Sequence, residues 1–180
     1  MNRLELYVNK DITLKVIGDE EIEPIFHTID NEREYLGEWL PFVKYTQQES
    51  DTEEFIHSTE SAELKDLTFA IYYQKNFAGI VGLKDPDYDN KKVEIGYWLS
   101  EKYQQKGIMT LSAKRLIQYA IDELQMNRIQ LKAATGNLKS QRIAERLDFT
   151  YEGIERDGEL HAHGFVDLKQ YSLLKKDIVK

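Results

Sequence analysis

The stretch Glu94-Ile95-Gly96-Tyr97-Trp98-Leu99-Ser100-Glu101-Lys102-Tyr103-Gln104-Gln105-Lys106-Gly107-Ile108-Met109-Thr110 decides how this chain is read. A strand is expected over Val93 to Leu99 and a long helix from Gly107 to Leu124. In that helix Met109, Ala113, Leu116, Ile117, Ala120, Ile121 and Leu124 fall on one face at helical spacing. The first amides of a helix have no partner within it and point outward together, and the helix dipole adds partial positive charge. A phosphate or pyrophosphate fits such a place. Gly107 lets the backbone approach a ligand, Lys106 adds charge, and Thr110 offers a first-turn hydroxyl. Taken alone, the loop is equally readable as an ordinary helix start. It lacks the Gly-Lys-Ser/Thr ending of a nucleoside triphosphate loop and the three spaced glycines of a dinucleotide fold.

Upstream, Ile12 to Ile17 alternates as a half-buried strand does. Asp19 is expected to cap a helix over Glu20 to Ile29, with Pro24 tolerated near its first turn. Tyr35 to Phe42 is rich in aromatic residues. Ser50 or Asp51 is expected to cap a helix carrying Phe55, Ile56 and Leu64. Strands are expected over Leu67 to Gln74 and Phe77 to Leu83, joined by a tight turn at Lys75-Asn76. Asp85-Pro86-Asp87 is read as a break. Downstream come a buried strand, Ile129 to Ala134, a short helix, Lys139 to Leu147, and closing strands, Phe149 to Ile154 and Phe165 to Leu174. The order predicts one domain over residues 1–180, a mixed α/β or α+β sheet with helices packed on it.

The 180 residues are 41% apolar and carry a net charge of −8. That charge argues against nonspecific nucleic-acid binding, which needs clustered Lys and Arg. It suits a cationic substrate, and it equally suits plain acidic solubility. There is no apolar run of about 18 residues, the length a membrane helix needs, and no signal-peptide pattern, so a cytoplasmic protein without membrane partners is expected. With no cysteine, a thiol nucleophile and thiolate metal sites are excluded.

Gln104-Gln105-Lys106-Gly107-Ile108-Met109 resembles the Arg/Gln-x-x-Gly-x-Gly/Ala pyrophosphate loop of the GNAT acetyltransferases, with Met109 where a small residue is usual. Other segments are similar to the RimJ/RimL-type branch. They are Trp39-Leu40-Pro41, the Glu-Ile-Gly-Tyr-Trp-Leu strand at residues 94–99, Leu124 to Ile129, and Asn137-Leu138-Lys139-Ser140-Gln141-Arg142 followed by Glu145-Arg146-Leu147-Asp148-Phe149. Asp148 stands where the branch has Gly, and Asp tolerates a left-handed helix end better than most residues. The likeness runs from about residue 10 to residue 175.

The resemblance implies a mostly antiparallel twisted sheet flanked by helices. It also implies direct transfer of acetyl from acetyl-CoA to an amine, without a metal. Tyr97, Trp98 and Leu99 would pair their backbone with the pantetheine arm. Gln104, Gln105, Lys106, Gly107, Ile108, Met109 and Thr110 would hold the diphosphate, and Asn137, Ser140 and Arg142 would lie on the cofactor side. Ser140 matches the acid for the leaving thiolate. Many GNAT proteins use a tyrosine one to two turns further along that helix, where this chain has Ala144, Glu145 and Arg146. Glu159 matches the branch's base, with Glu94 as the second candidate. Trp39, Phe42 and Tyr35 would form the acceptor wall, although core packing also explains Tyr35 and Phe42. Asn137 and Ser140 also suit simple helix capping, and Glu159 a solvated loop. His161 and His163, two apart, would share one face of a strand and offer a proton relay more readily than a metal pair.

The expected acceptor is the N-terminal α-amine of a protein such as a ribosomal protein. A small amine (polyamine, amino sugar or antibiotic) and a coenzyme-A-binding module without turnover are the alternatives. A homodimer is compatible with the branch.

Overall fold

Ile12–Val16 (β2) is the alternating strand expected, and it receives a partner too short to leave a pattern, Glu5–Tyr7 (β1). The computed structural model describes residues 3–61 and 66–178. Leu64, expected on a helix, lies outside the described residues. After β2 come helices Ile22–Asn31 (α1), Arg33–Gly37 (α2) and Glu49–Ser61 (α3), then strands Leu67–Tyr73 (β3), Asn76–Asp87 (β4) and Lys92–Leu99 (β5). The long helix Ile108–Asp122 (α4) crosses to Arg128–Ala134 (β6). Leu138–Arg146 (α5), Thr150–His161 (β7), Gly164–Leu174 (β8) and the short Lys175–Ile178 (α6) complete the order.

The eight strands form one sheet in the order β1-β2-β3-β4-β5-β6-β8-β7. Every pairing is antiparallel except β5 with β6. These two need a crossover, and α4 supplies it. Alternate residues of β3 face opposite ways. Phe69 and Ile71 join Leu116, Ile117 and Ala120 of α4 in one core. Ala70 joins Ile25, Ile29, Leu36 and Ile56 from α1, α2 and α3 in the other. Each fully buried large side chain contributes about 1.5–3 kcal/mol of transfer free energy. The apolar stripe of α4 therefore fixes which face of the helix meets the sheet, and the chain order puts its start at the end of β5. No helix among the described residues is long and apolar enough to cross a membrane.

Local chemistry moved several boundaries. The β3–β4 turn is centred on Gln74 and Lys75, at φ 49° and 68°, one residue before the expected pair. Asp85-Pro86-Asp87 does not end its strand. Asp85 takes φ 52° and the pairing skips between Lys84 and Asp87, a bulge where the missing N–H of proline costs no rung. Gly18, not Asp19, precedes the first turn leading into α1, and its N–H donates to the buried Glu21 carboxylate at 2.9 Å. Asp51 caps α3 from inside its first turn by accepting the N–H groups of Gln47 and Gln48 at 2.7 and 3.0 Å. β7 continues past Ile154 to His161 because a bulge between Glu155 and Glu159, with Asp157 at φ 51°, absorbs the residues that read as a loop.

Candidate active site

β5 and β6 are paired only over Lys92–Arg128, Val93–Ile129 and Glu94–Gln130. Beyond Glu94, β5 stays with β4 as far as Leu99, while β6 stays with β8 as far as Ala134. The sheet therefore opens into a V. The edge of β5 that faces the gap presents main-chain donors and acceptors without a strand opposite them.

At the end of β5 the chain is held by Glu32. Its carboxylate accepts from the Ser100 hydroxyl at 2.6 Å and from the Glu101 N–H at 2.9 Å. Gln104 turns its side-chain amide back to the Leu99 carbonyl at 3.3 Å. Gln105 and Gly107 then take φ 64° and 71°, and α4 starts. The first rung runs from Leu111 N–H to Gly107 O, so the amides of Ile108, Met109 and Thr110 precede it. A Cβ on Gly107 would meet nothing within 4 Å. Glycine is needed there for its dihedral, and the space in front of the helix is open. The Lys106 ammonium lies over the rings of Tyr73 and Tyr103, 5.4 and 5.5 Å from their centroids. Met109 is turned into the core at 5% exposure, and it also narrows the cavity behind the loop. This donor set fits a diphosphate: several amides and a lysine at a helix start, with nothing acidic in its first turn.

Two cavities meet beside the V. The smaller, about 100 Å³, is bounded by Leu99, Gln104, Met109 and Ile143 toward the loop. The larger, about 830 Å³, reaches Phe42, Glu94 and Glu159 on the other side. Both are lined by Trp39, Leu40, Tyr97, Trp98, Asn137 and Ser140, which form a waist between them. At the waist the Tyr97 hydroxyl lies 3.0 Å from Ser140 Oγ. Asn137 Oδ1 accepts the Ser140 N–H at 3.1 Å, the capping bond expected of an N-cap asparagine. Burial holds the Tyr97 phenol well above its ordinary pKa.

Both candidate base carboxylates line the larger cavity. Glu94 is held by Lys84 at 2.9 Å, with Lys132 at 4.0 Å. Glu159 pairs with the Nε2 of His161 at 2.7 Å, and that imidazole is 7% exposed. His163 lies in the turn between β7 and β8, so the two histidines do not share a strand face as the spacing suggested. The three aromatic residues expected in one wall are divided. Trp39 is at the waist, Phe42 lies on the larger cavity, and Tyr35 lies on the smaller one beneath the Lys139 ammonium. Arg142 is exposed and lines neither cavity.

Three contributions escaped the sequence reading. Glu32 clamps the exit of β5 across a separation of 69 residues. Gln141, buried in α5, donates to the carbonyls of Ala134 and Thr135 and accepts from Lys169, pinning the helix to the end of β6. Thr52 lines the larger cavity at 2% exposure, and its hydroxyl has no partner among the described residues. None of these carries a local signal, because each depends on contacts made only in the fold.

The sequence pattern of the acetyltransferase (GNAT) domain matches residues 11–150. The chain is 35% identical over 174 residues to a Bacillus subtilis (strain 168) protein called "Putative ribosomal N-acetyltransferase YdaF", with 94% of each chain covered. It is similar in structure to the microcin C7 self-immunity acetyltransferase MccE solved with acetyl-CoA and AMP. That likeness has TM-score 0.88 and 30% identity, covering 93% of this chain and 94% of the other. The ribosomal L7/L12 α-N-protein acetyltransferase RimL, solved with coenzyme A, shares the fold at TM-score 0.92 and 21% identity, over 97% and 99% of the two chains.

Proposed function

Because the chain belongs to the acetyltransferase (GNAT) domain family, we propose that its joined cavities carry acetyl from acetyl-CoA to the N-terminal α-amine of a protein such as a ribosomal protein. The observation that carries this reading is the waist. Tyr97, Asn137 and Ser140 stand between an amide-rich helix start and an acid-lined cleft, where a donor from one side meets an amine from the other. Acetyl-CoA supplies an activated acetyl group as a thioester. The amides of Ile108, Met109 and Thr110, with Lys106 beside them, would hold its diphosphate. The unpaired edge of β5 at Tyr97, Trp98 and Leu99 would receive its amide-bearing arm as a strand edge receives a peptide.

On the acceptor side, Asp51, Glu54, Asp66, Asp85, Glu94 and Glu159 line the larger cavity against Lys84 and Lys132. That excess of carboxylate favours an incoming ammonium. An α-amine has a pKa of about 8, so it needs only modest help to lose its proton. Glu159 is better placed than Glu94 to take it. Lys84 occupies Glu94, whereas Glu159 faces an imidazole that can pass a proton on. Ser140 at the waist donates toward the departing sulfur. Phe42, Tyr45 and Phe55, exposed along the same cavity, offer an apolar wall for the residues that follow a peptide's first. The resemblance of sequence to YdaF supports a protein acceptor.

The test mixes purified protein with acetyl-CoA and a panel of peptides and small amines and follows thiol release. Release with free peptide N-termini, abolished when the terminus is blocked, is the expected result. Release with small amines alone would move the acceptor to a polyamine, amino sugar or antibiotic. Calorimetry that detects neither acetyl-CoA nor coenzyme A binding to folded protein would overturn the site.

A further inference from the structure

We infer that Tyr97 is a positioning residue for Ser140: its phenol donates to the serine oxygen and so directs the hydroxyl hydrogen of Ser140 into the waist, where the thiol leaves. This deepens the reading of Ser140 given above and rests on it. The helix that carries Ser140 has no phenol further along, only Ala144, Glu145 and Arg146. β5 brings one to the same point from the opposite side.

Either oxygen can donate in this pair, and only one direction of the bond serves the reaction. Tyr97 Oη is 3.0 Å from Ser140 Oγ and 3.4 Å from the Ser140 main-chain oxygen. A serine hydroxyl has a single hydrogen. If that hydrogen pointed at Tyr97, none would remain for sulfur. With Tyr97 donating to the nearer atom, Oγ, the hydrogen of Ser140 is left to the cavity that both side chains line. Asn137 anchors the Ser140 main chain at this point, accepting its N–H at 3.1 Å. The buried phenol also keeps its own proton, since burial disfavours the charged form. Tyr97 therefore keeps a hydrogen with which to donate.

The protons balance without a further reactant. The acceptor enters as an ammonium and leaves as an amide, losing two protons. The N–C bond forms and the C–S bond breaks, with the electron pair of the broken bond remaining on sulfur. One of the two protons ends on that sulfur, relayed through the Ser140 hydroxyl, and the other leaves to solvent through the base.

The test is a double-mutant cycle. Tyr97→Phe keeps the ring and removes only the hydroxyl. It is expected to lower kcat roughly tenfold, the kinetic equivalent of one hydrogen bond, while the coenzyme A Kd by calorimetry changes less than about twofold. In a Ser140→Ala background the same change should cost almost nothing, because the group it orients is gone. An unchanged kcat in Tyr97→Phe overturns the inference. So does a loss of equal size in both backgrounds, which marks mere packing. Full activity in Ser140→Ala overturns the role of Ser140 and that of Tyr97 with it, leaving the acetyl transfer itself intact. Wild-type protein that releases no thiol with any amine overturns the transfer reading at its root.

Discussion

The indole of Trp39 lies so close to Gly136 that a Cβ there would stand 2.9 Å from its Cη2. The β6–α5 turn and the Trp39-Leu40-Pro41 segment thus meet at the waist through a position with no room for a side chain unless the indole moves. Gly136→Ala must push a large, half-buried ring aside. The expected result is a severalfold rise in acceptor KM, with destabilisation of about 1–3 kcal/mol as for other overpacked sites. Steady-state kinetics and denaturant unfolding measure both. Unchanged kinetics would mean that the indole does not shape the acceptor path.

Glu159→Gln removes the proposed base but keeps its shape and its contact with His161. A positioned base contributes about 100-fold to 10,000-fold, so kcat/KM should fall by at least about 100-fold. The acid side of its pH profile should change as well, following deprotonation of the amine alone. Glu94→Gln, which frees Lys84 from its partner, should have the smaller effect. If Glu159→Gln keeps the wild-type pH profile, the proton goes elsewhere.

Asp148 ends α5 at φ 59°. An L-residue held in the left-handed region costs about 1–2 kcal/mol, and the entropy of a glycine gives back part of the difference. Asp148→Gly is therefore expected to stabilise the fold by about 0.5–1 kcal/mol in denaturant unfolding, with activity unchanged. Destabilisation would show that the carboxylate has a tertiary role.

Glu152 joins β7 to its neighbours, accepting from Arg128 at 2.8 Å and from the buried Ser172 hydroxyl at 2.7 Å. These bonds, led by the one from Arg128, hold its carboxyl down from its ordinary 4.5 to about 2. A depressed folded-state pKa gives stability that is present above the ordinary value and lost as pH falls through the depressed one. Melting temperature should therefore drop between pH 4.5 and pH 2, and drop less in Glu152→Gln. Equal acid sensitivity in both proteins would remove this pair as a contributor.

The sequence carried the long, periodic parts well. β5, α4 and the loop between them were legible because burial of one face repeats over several turns, and Gly107 marks its own dihedral. β1 was not legible, since three residues cannot show a period. The second half of β7 was hidden by Asp157-Gly158, whose loop-like composition serves a bulge. In the site, the identities of Ser140, Asn137 and Glu159 came from resemblance, while their partners came only from the fold. Tyr97 reaches Ser140 across 43 residues. The division of Tyr35, Trp39 and Phe42 between two cavities could not be read either, because α2 and the short turn after it set ring direction through tertiary packing.

The short seam between β5 and β6 makes the sheet two blades joined by three rungs. A molecule seated in the opening bridges both blades, so it becomes a member of the architecture as well as a reactant. Occupancy should then stiffen the protein far from the chemistry: the blade ending in β8 and β7 would resist hydrogen exchange more strongly when the donor is bound, and loosen again each time it departs.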